Sequence, residues 1–423
     1  MSYNNQTNAC SIFMERIILH CDLNNFYASV ECFYNPVLRD VPFAVTGSED
    51  ERHGIVLAKN YPAKAFGIKT GDTVLDARRK CPKLVTKEGE FEKYLHYSKK
   101  FKAMLLEYSD LVESFGIDES WVDATQSCGG KSGKQIADEL RQRIRDELGL
   151  TISVGVSWNK IFAKLGSDLK KPDATTVIDR SNYRDKVWSL PAAELLYVGK
   201  ATNEKLSRRG IYTIGDIANA NEQALNNLLG KWGSTLKIFA NGQDSSEVKQ
   251  YEEGREVKSV GNSLTCYRDL TTNHEVMALF YVLAESVASR IRQGGFVANN
   301  VGIYVRDTEL VSFVRQANMK QPTQLSGEIA AQAMVLFVSN YTWTKSIRSL
   351  GVRVSGFGAA SRQLSLLSQD DYEKGLALEQ TIEKIRDRFG HGAIQRGAVF
   401  TDKKLIQFDP EEQNTIHPVG FMG

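Results

Sequence analysis

Hydrophobic positions in the N-terminal part of the chain alternate between short runs of strand length and stripes of helical spacing. Residues 16–21 form an apolar run that reads as a buried strand, ending at Asp22-Leu23-Asn24-Asn25 with a helical pattern from about Phe26. Residues 33–95 are denser in turns and basic groups, with a strand expected over 54–58 and a short helix opening at Tyr61-Pro62-Ala63-Lys64. An amphipathic helix is expected over 94–108. In 114–123, apolar and β-prone residues alternate up to Asp118-Glu119 and resume after it, which reads as a hairpin with two carboxylates at its tip. A helix over 135–148 places Ile136, Leu140, Ile144 and Leu148 on one stripe, a core face. A strand over 151–156 follows, and Ser157 is placed to cap a helix carrying Lys160 and Lys164. This order fits an α/β sheet with an insertion between its first strand and first long helix.

Residues 186–245 are largely helical. Within them, residues 195–202 followed by a helix to Arg209-Gly210 form either a helix-hairpin-helix or a plain helical hairpin. In the former, the turn at Val198-Gly199-Lys200 offers backbone amides to a phosphate without reading bases. Residues 241–256 are polar and read as a linker. Beyond it, strands over 257–267, 297–306, 310–317 and 347–354 and helices over 273–292 and 325–338 give the order βαββαβ, the ferredoxin-like split. A helix over 372–389 is expected in the tail.

Composition narrows the class. The 423 residues allow two to four domains of ordinary globular make-up. A net charge of +2 argues for no particular partner, but its distribution says more. Residues 256–354 hold 10 Lys/Arg against 7 Asp/Glu, and residues 361–423 hold 8 against 10. Arg290, Arg315 and Arg348 belong to that basic module, where they could track a phosphate backbone or form a solvated mixed surface. The six cysteines are scattered, without the spacing of a disulfide framework or a zinc site. No apolar run reaches membrane-spanning length, so a soluble cytoplasmic protein is expected.

The candidate chemistry is acidic. Two acids held together persist cheaply only if solvated or neutralised by a cation, and an all-oxygen site suits Mg²⁺. Asp22, at a strand end before a helix, is placed either for chemistry or as a helix cap. Tyr61 and Lys64 at a helix start could hold a phosphate or form a surface pair. In the tail, Gln363-Leu364-Ser365-Leu366-Leu367 is an apolar anchor in a polar stretch.

Taken together these stretches resemble Y-family translesion DNA polymerases of the DinB/UmuC group. The resemblance covers residues 16–367 and is carried by residues 21–31, 61–67, 117–120 and 162–165, with Lys258-Ser259-Val260-Gly261-Asn262-Ser263 and Arg268-Asp269-Leu270 further on. It implies a right-hand polymerase: a palm (1–24 and 95–185), small fingers (25–94), a helical thumb (186–245), a linker (246–255), a βαββαβ little finger (256–356) and a tail (357–423). It implies template-directed, error-prone addition of deoxynucleoside triphosphates to primer-template DNA, in DNA damage tolerance and repair. Asp22 and Asp118 would be shared by two Mg²⁺ ions, with Glu119 on one and the Leu23 carbonyl on the other. Tyr61, Lys64 and Lys164 would contact the triphosphate, and Tyr27 would be the gate against a ribose 2′-hydroxyl. Residues Gln363, Leu364, Leu366 and Leu367 would bind a sliding clamp. Gly116 stands where a Ser often precedes the acidic pair, Asn24 where many DinB-like members carry a second Asp, and Leu367 where Phe is common. Asn24, and the place of the Gln363–Leu367 peptide with some fifty residues still to come, lean towards UmuC, which leaves open a need for a UmuD-like or recombinase partner. The competing classes are a catalytically idle, clamp-tethered DNA-binding protein and a nucleotide cyclase on a related palm.

Overall fold

The computed structural model describes residues 15–48, 54–251, 257–358 and 369–397. They fall into two compact units that meet in the sequence near residue 255.

The N-terminal unit opens with β1 (Ile18–Leu23), α1 (Phe26–Tyr34), β2 (Phe43–Thr46) and β3 (Val56–Lys59). Then come α2 (Tyr61–Ala65), α3 (Val74–Lys80), β4 (Val85–Glu88) and α4 (Phe91–Leu106). The acidic hairpin is β5 (Val112–Ser114) and β6 (Glu119–Asp123), followed by α5 (Gly133–Leu148), β7 (Ile152–Ser157), α6 (Lys160–Leu169) and β8 (Thr175–Val177). Five strands make the main sheet in the order β5-β6-β1-β7-β8, and β3-β2-β4 form a separate three-stranded sheet.

Period-two alternation in β1 decides what the site can contain. Leu19, Cys21 and Leu23 enter the core built with α1, α4 and α5. Ile18, His20 and Asp22 therefore point the other way, towards α6: Ile18 packs with Ala163, and His20 Nδ1 lies 2.9 Å from Ser167 Oγ. The helix can come this close because Gly155 lies beneath it. A Cβ at Gly155 would sit 1.9 Å from the Ala163 carbonyl oxygen. Ser157 does not cap α6: it is the last residue of β7, and Asn159 accepts from the Phe162 N–H at 2.8 Å instead.

The helical part comprises α7 (Tyr183–Val187), α8 (Lys200–Ser207), α9 (Ile214–Asn219), α10 (Glu222–Leu229) and α11 (Trp232–Ala240), sharing a core with Trp158, Phe162 and Leu165. The polar stretch after it is no free tether at its start. Val248 is buried against Ile18, Trp121 and Ala163, and the Lys249 N–H donates to Glu113 Oε2 at 3.0 Å.

The second unit contains β9 (Ser259–Leu270), α12 (Asn273–Gln293), β10 (Ala298–Asp307), β11 (Ser312–Thr323), α13 (Ser326–Asn340) and β12 (Ile347–Ser355). The order βαββαβ matches the sequence pattern, and the antiparallel sheet runs β11-β10-β12-β9. Val301, Ile303, Val305, Leu350, Val352 and Val354 face α12 and α13 in one core. The tail adds α14 (Gln369–Phe389), which docks on this unit through charge. Glu379 accepts from the Ser326 N–H at 2.9 Å and from its hydroxyl at 2.7 Å. Leu325, the residue before α13, offers no side-chain cap, so α14 supplies one across the chain. Arg292 holds Glu379 and Glu383 at 2.5 Å each, and Arg386 meets Glu285 at 2.9 Å. Among the described residues, no helix is long and apolar enough to cross a membrane.

Candidate active site

Asp22 on β1 stands opposite Glu119, the first residue of β6, in antiparallel register. Asp118 lies in the turn of the hairpin. That turn is closed by the N–H groups of Phe115 and Gly116, which both donate to the Glu119 carbonyl, at 3.1 and 3.0 Å. The Leu23 N–H donates to the Asp118 carbonyl at 2.9 Å and fastens the turn to the end of β1. A hydroxyl from α4, that of Ser98, also holds the Ile117 carbonyl. A turn residue escapes the strand alternation, so Asp118 can share its surroundings with Asp22 and Glu119. Asp22 is not a helix cap: α1 begins after Asn25, and both carboxylate oxygens of Asp22 meet lysines.

Burial, then the charges of Asp22 and Glu119, push the Asp118 carboxyl up to about 7. Burial also raises Glu119, against the pull of Lys164. Lys164 Nζ lies 2.9 Å from Glu119, 3.0 Å from Asp168 and 3.4 Å from Asp22. A second lysine, absent from the sequence reading, completes the network. Lys171 Nζ lies 2.9 Å from Asp22 and 3.0 Å from Asp168. Against the cost of burial, the surrounding acids raise both lysines, so both stay charged. The loop carrying Lys171 is pinned by Asn24, whose Oδ1 accepts from the Asp173 N–H at 2.8 Å while its Nδ2 donates to Ser153 at 2.9 Å. Asn24 is thus a buried clasp, which explains an amide at this position. Lys160 turns away, to Glu113 at 2.7 Å.

His20 is the other residue that sequence reasoning missed. Ser167 Oγ donates to the Lys164 carbonyl, so the hydrogen-bond pattern assigns the His20 proton to Nδ1. Nε2 then carries a lone pair 3.4 Å from Glu119 Oε2 and has no hydrogen-bond partner among the described residues. Burial, then Lys164 and Lys171, holds the imidazole well below its usual range, hence neutral.

The residues fit divalent cations on chemical grounds. The donors are all oxygen, and the raised Asp118 and Glu119 mark a site short of positive charge. Among the described residues, no three acid, histidine or cysteine side chains form a ready-made cage; lysines bridge the acids instead. A cation held by these acids would compete with the lysines for them.

Tyr61 opens α2, with Asn60 capping the helix through the Ala63 N–H. Burial raises the Tyr61 hydroxyl, with Lys171 and Asp22 acting on it next, so this tyrosine belongs to the acidic centre. Lys64 is exposed, its Nζ 5.8 Å from the Tyr61 ring centre. Tyr27 on α1 is raised chiefly by burial and secondly by Asp118.

Contact candidates elsewhere separate more sharply. Tyr197 takes φ +71°, the left-handed conformation that favours glycine, and the turn leads through buried Val198 to Gly199, which precedes α8. In the second unit, Arg290 donates to the Gly261 carbonyl at 2.7 Å, and Arg315 donates to Asn340 at 3.1 Å. Both are engaged within the fold; Arg315 pairs with Ile303 and so lies on the helix-covered face. Arg348 sits at a bulge in β12. The face away from α12 and α13 carries Tyr304, Arg306, Gln316 and Arg353, by register. Residues Gln363, Leu364, Leu366 and Leu367 lie outside the described residues.

Comparison with known proteins places the chain. The impB/mucB/samB family matches residues 21–168, and that family's C-terminal domain matches residues 257–366. DNA polymerase IV of Acetivibrio thermocellus is 48% identical over 93% of this chain and 99% of its own. DNA polymerase IV 1 of Bacillus subtilis is 38% identical over 90% of this chain and 93% of its own. The solved Y-family DNA polymerase chimera Dbh-Dpo4(243-245)-Dbh superposes with a TM-score of 0.72 at 22% identity, covering 81% of this chain and 99% of its own. The chain belongs to the impB/mucB/samB family, the DinB-like Y-family DNA polymerases. It is therefore an enzyme of the DNA-directed DNA polymerase class.

Proposed function

We propose that this chain extends a primer 3′ end on a template, past lesions and with low fidelity, by phosphoryl transfer at Asp22, Asp118 and Glu119. The observation that carries the reading is the acidic trio at the end of β1, with Asp22 and Glu119 held by Lys171 and Lys164 and Asp118 pushed up to about 7. Asp22, Asp118, Glu119 and the Leu23 carbonyl would hold the Mg²⁺ ions. Bound there, the ions supply the charge that activates the primer hydroxyl and steadies the leaving pyrophosphate.

The protein's own groups position the reactants. Lys171 and Lys164 hold acids in the resting chain and are placed to transfer to triphosphate oxygens when a nucleotide enters. Tyr61 joins them, and Lys64 at the open end of α2 gives a point charge without the fork of an arginine. Tyr27 blocks a 2′-hydroxyl. In the helical part, the amides of Val198, Gly199 and Lys200 take a template or primer phosphate. In the second unit the duplex backbone is assigned to the sheet face away from α12 and α13, with Arg353 as its lead contact. The three-stranded sheet with its short helices forms small fingers, which go with tolerance of damaged templates and low fidelity.

The Gln363–Leu367 peptide is assigned to a sliding clamp, on its sequence alone. Primer extension with Mg²⁺ and four deoxynucleotides on abasic templates tests the reading. Bypass supports it, and arrest at every lesion in the presence of clamp contradicts it.

A further inference from the structure

Tyr27 does not stand alone. Its ring stacks on Tyr94 of α4, with centroids 4.3 Å apart and planes 16° from parallel. Phe91, one turn earlier on α4, meets both rings edge-on, at 5.8 Å from Tyr27 and 5.7 Å from Tyr94. Tyr94 is fully buried, and its hydroxyl donates to Glu31 Oε1 at 2.8 Å. Glu31 is itself 1% exposed and lies on α1 four residues after Tyr27, on the same side of the helix. Lys87 of β4 neutralises it, with Nζ 2.5 Å from Glu31 and 2.6 Å from Glu90. Three elements thus converge on one ring: α1 through Glu31, β4 through Lys87, and α4 through Tyr94 and Phe91.

A buried carboxylate is costly unless paired and hydrogen-bonded, and here both conditions are met. The arrangement fixes Tyr94, whose hydroxyl is bonded to Glu31 while Lys87 holds that carboxylate in place. A ring that excludes a 2′-hydroxyl works only if it cannot yield. An unsupported aromatic side chain on a helix can change rotamer. Stacked on an immobile, hydrogen-bonded ring and flanked by a third, it loses that freedom.

We infer that Tyr94 is a positioning residue for sugar selection: it fixes the plane of Tyr27, with Glu31 and Lys87 anchoring it and Phe91 closing the side. This inference rests on the assignment of Tyr27 as the sugar gate.

The test is the ratio of kcat/KM for deoxy- over ribonucleotide insertion, measured on the full chain with Mg²⁺. Tyr94→Leu removes the stack and is expected to lower the ratio at least tenfold, mainly by raising ribonucleotide kcat/KM. Tyr94→Phe keeps the ring and is expected to retain most of the selection. Phe91→Leu, a milder change, is expected to lower the ratio about threefold and guards against a Tyr94→Leu chain that fails to fold. In a Tyr27→Ala background neither α4 substitution should have any further effect. If Tyr27→Ala leaves the ratio unchanged, the gate assignment itself fails. If Tyr27→Ala lowers it while Tyr94→Leu or Phe91→Leu does not, or if their effects add to that of Tyr27→Ala, the positioning role is refuted and the gate stands.

Discussion

Lys171 reaches Asp22 across 149 residues of sequence, its ammonium 2.9 Å from Oδ1 of the carboxylate. Lys164 meets Oδ2 of the same group at 3.4 Å, so the first acid of the site is held from both sides. In this state the lysines supply the positive charge that balances the acids.

Lys171→Ala should therefore lower kcat/KM for deoxynucleotides by about 100-fold, the scale of removing one charged transition-state contact. Lys171→Arg should recover part of the loss. Steady-state single-nucleotide insertion checks this. An unchanged kcat/KM in Lys171→Ala would assign the lysine to resting-state charge balance alone.

Proton linkage gives a second expectation, for protein without added metal. Asp118 titrates near 7 in the fold, against an ordinary carboxylate value near 4. Between these values the folded state binds more protons than the unfolded one, so this group's contribution makes stability fall as pH rises through the window. Above pH 7 the cost is complete, on the order of 4 kcal/mol. Asp118→Asn should raise Tm at pH 8, leave it nearly unchanged at pH 4, and abolish synthesis. Calorimetry at the two pH values measures it, and a lower Tm at pH 8 would show that Asp118 is stabilised as the anion.

Gly155 carries a packing prediction. An alanine there places its Cβ against the Ala163 carbonyl, inside any allowed contact. Gly155→Ala should push α6 off the sheet and cost about 3 kcal/mol. It should also weaken nucleotide use, because Lys164 moves with the helix. Urea unfolding with insertion kinetics tests the pair of effects; wild-type stability would contradict the packing.

The sheet register sorts the basic residues of the second unit. Arg353→Ala should weaken duplex binding and reduce the salt slope by about one. Arg290→Ala should instead lower stability, since its guanidinium is bonded to the Gly261 carbonyl. Fluorescence anisotropy at several salt concentrations, beside thermal melts, separates the two. Equal losses of affinity would remove the face assignment.

Much of this was legible in the residues. The alternation around Asp118-Glu119 gave a hairpin, and the βαββαβ order of the second unit stood out, because period-two and period-3.6 patterns are local. Lys171 was not legible: it is brought to Asp22 by a loop whose Asp173 is held by the distant Asn24, Arg141 and Arg145. His20 lay hidden in an apolar run, because its role depends on which face of β1 meets α6. Arg290 and Arg315 were chosen by charge, and their bonds to the Gly261 carbonyl and to Asn340 left no local pattern in the sequence. The docking of α14 through Glu379 and Arg292 joins residues 87 apart and leaves no local pattern.

Primer extension by the purified chain with Mg²⁺ and all four deoxynucleotides, beside Asp118→Ala, tests the central claim most directly. The account predicts extension that requires a template and Mg²⁺, with none in the variant and DNA binding retained in both. Extension that survives in Asp118→Ala would contradict it and move the catalytic centre away from the acids at the end of β1.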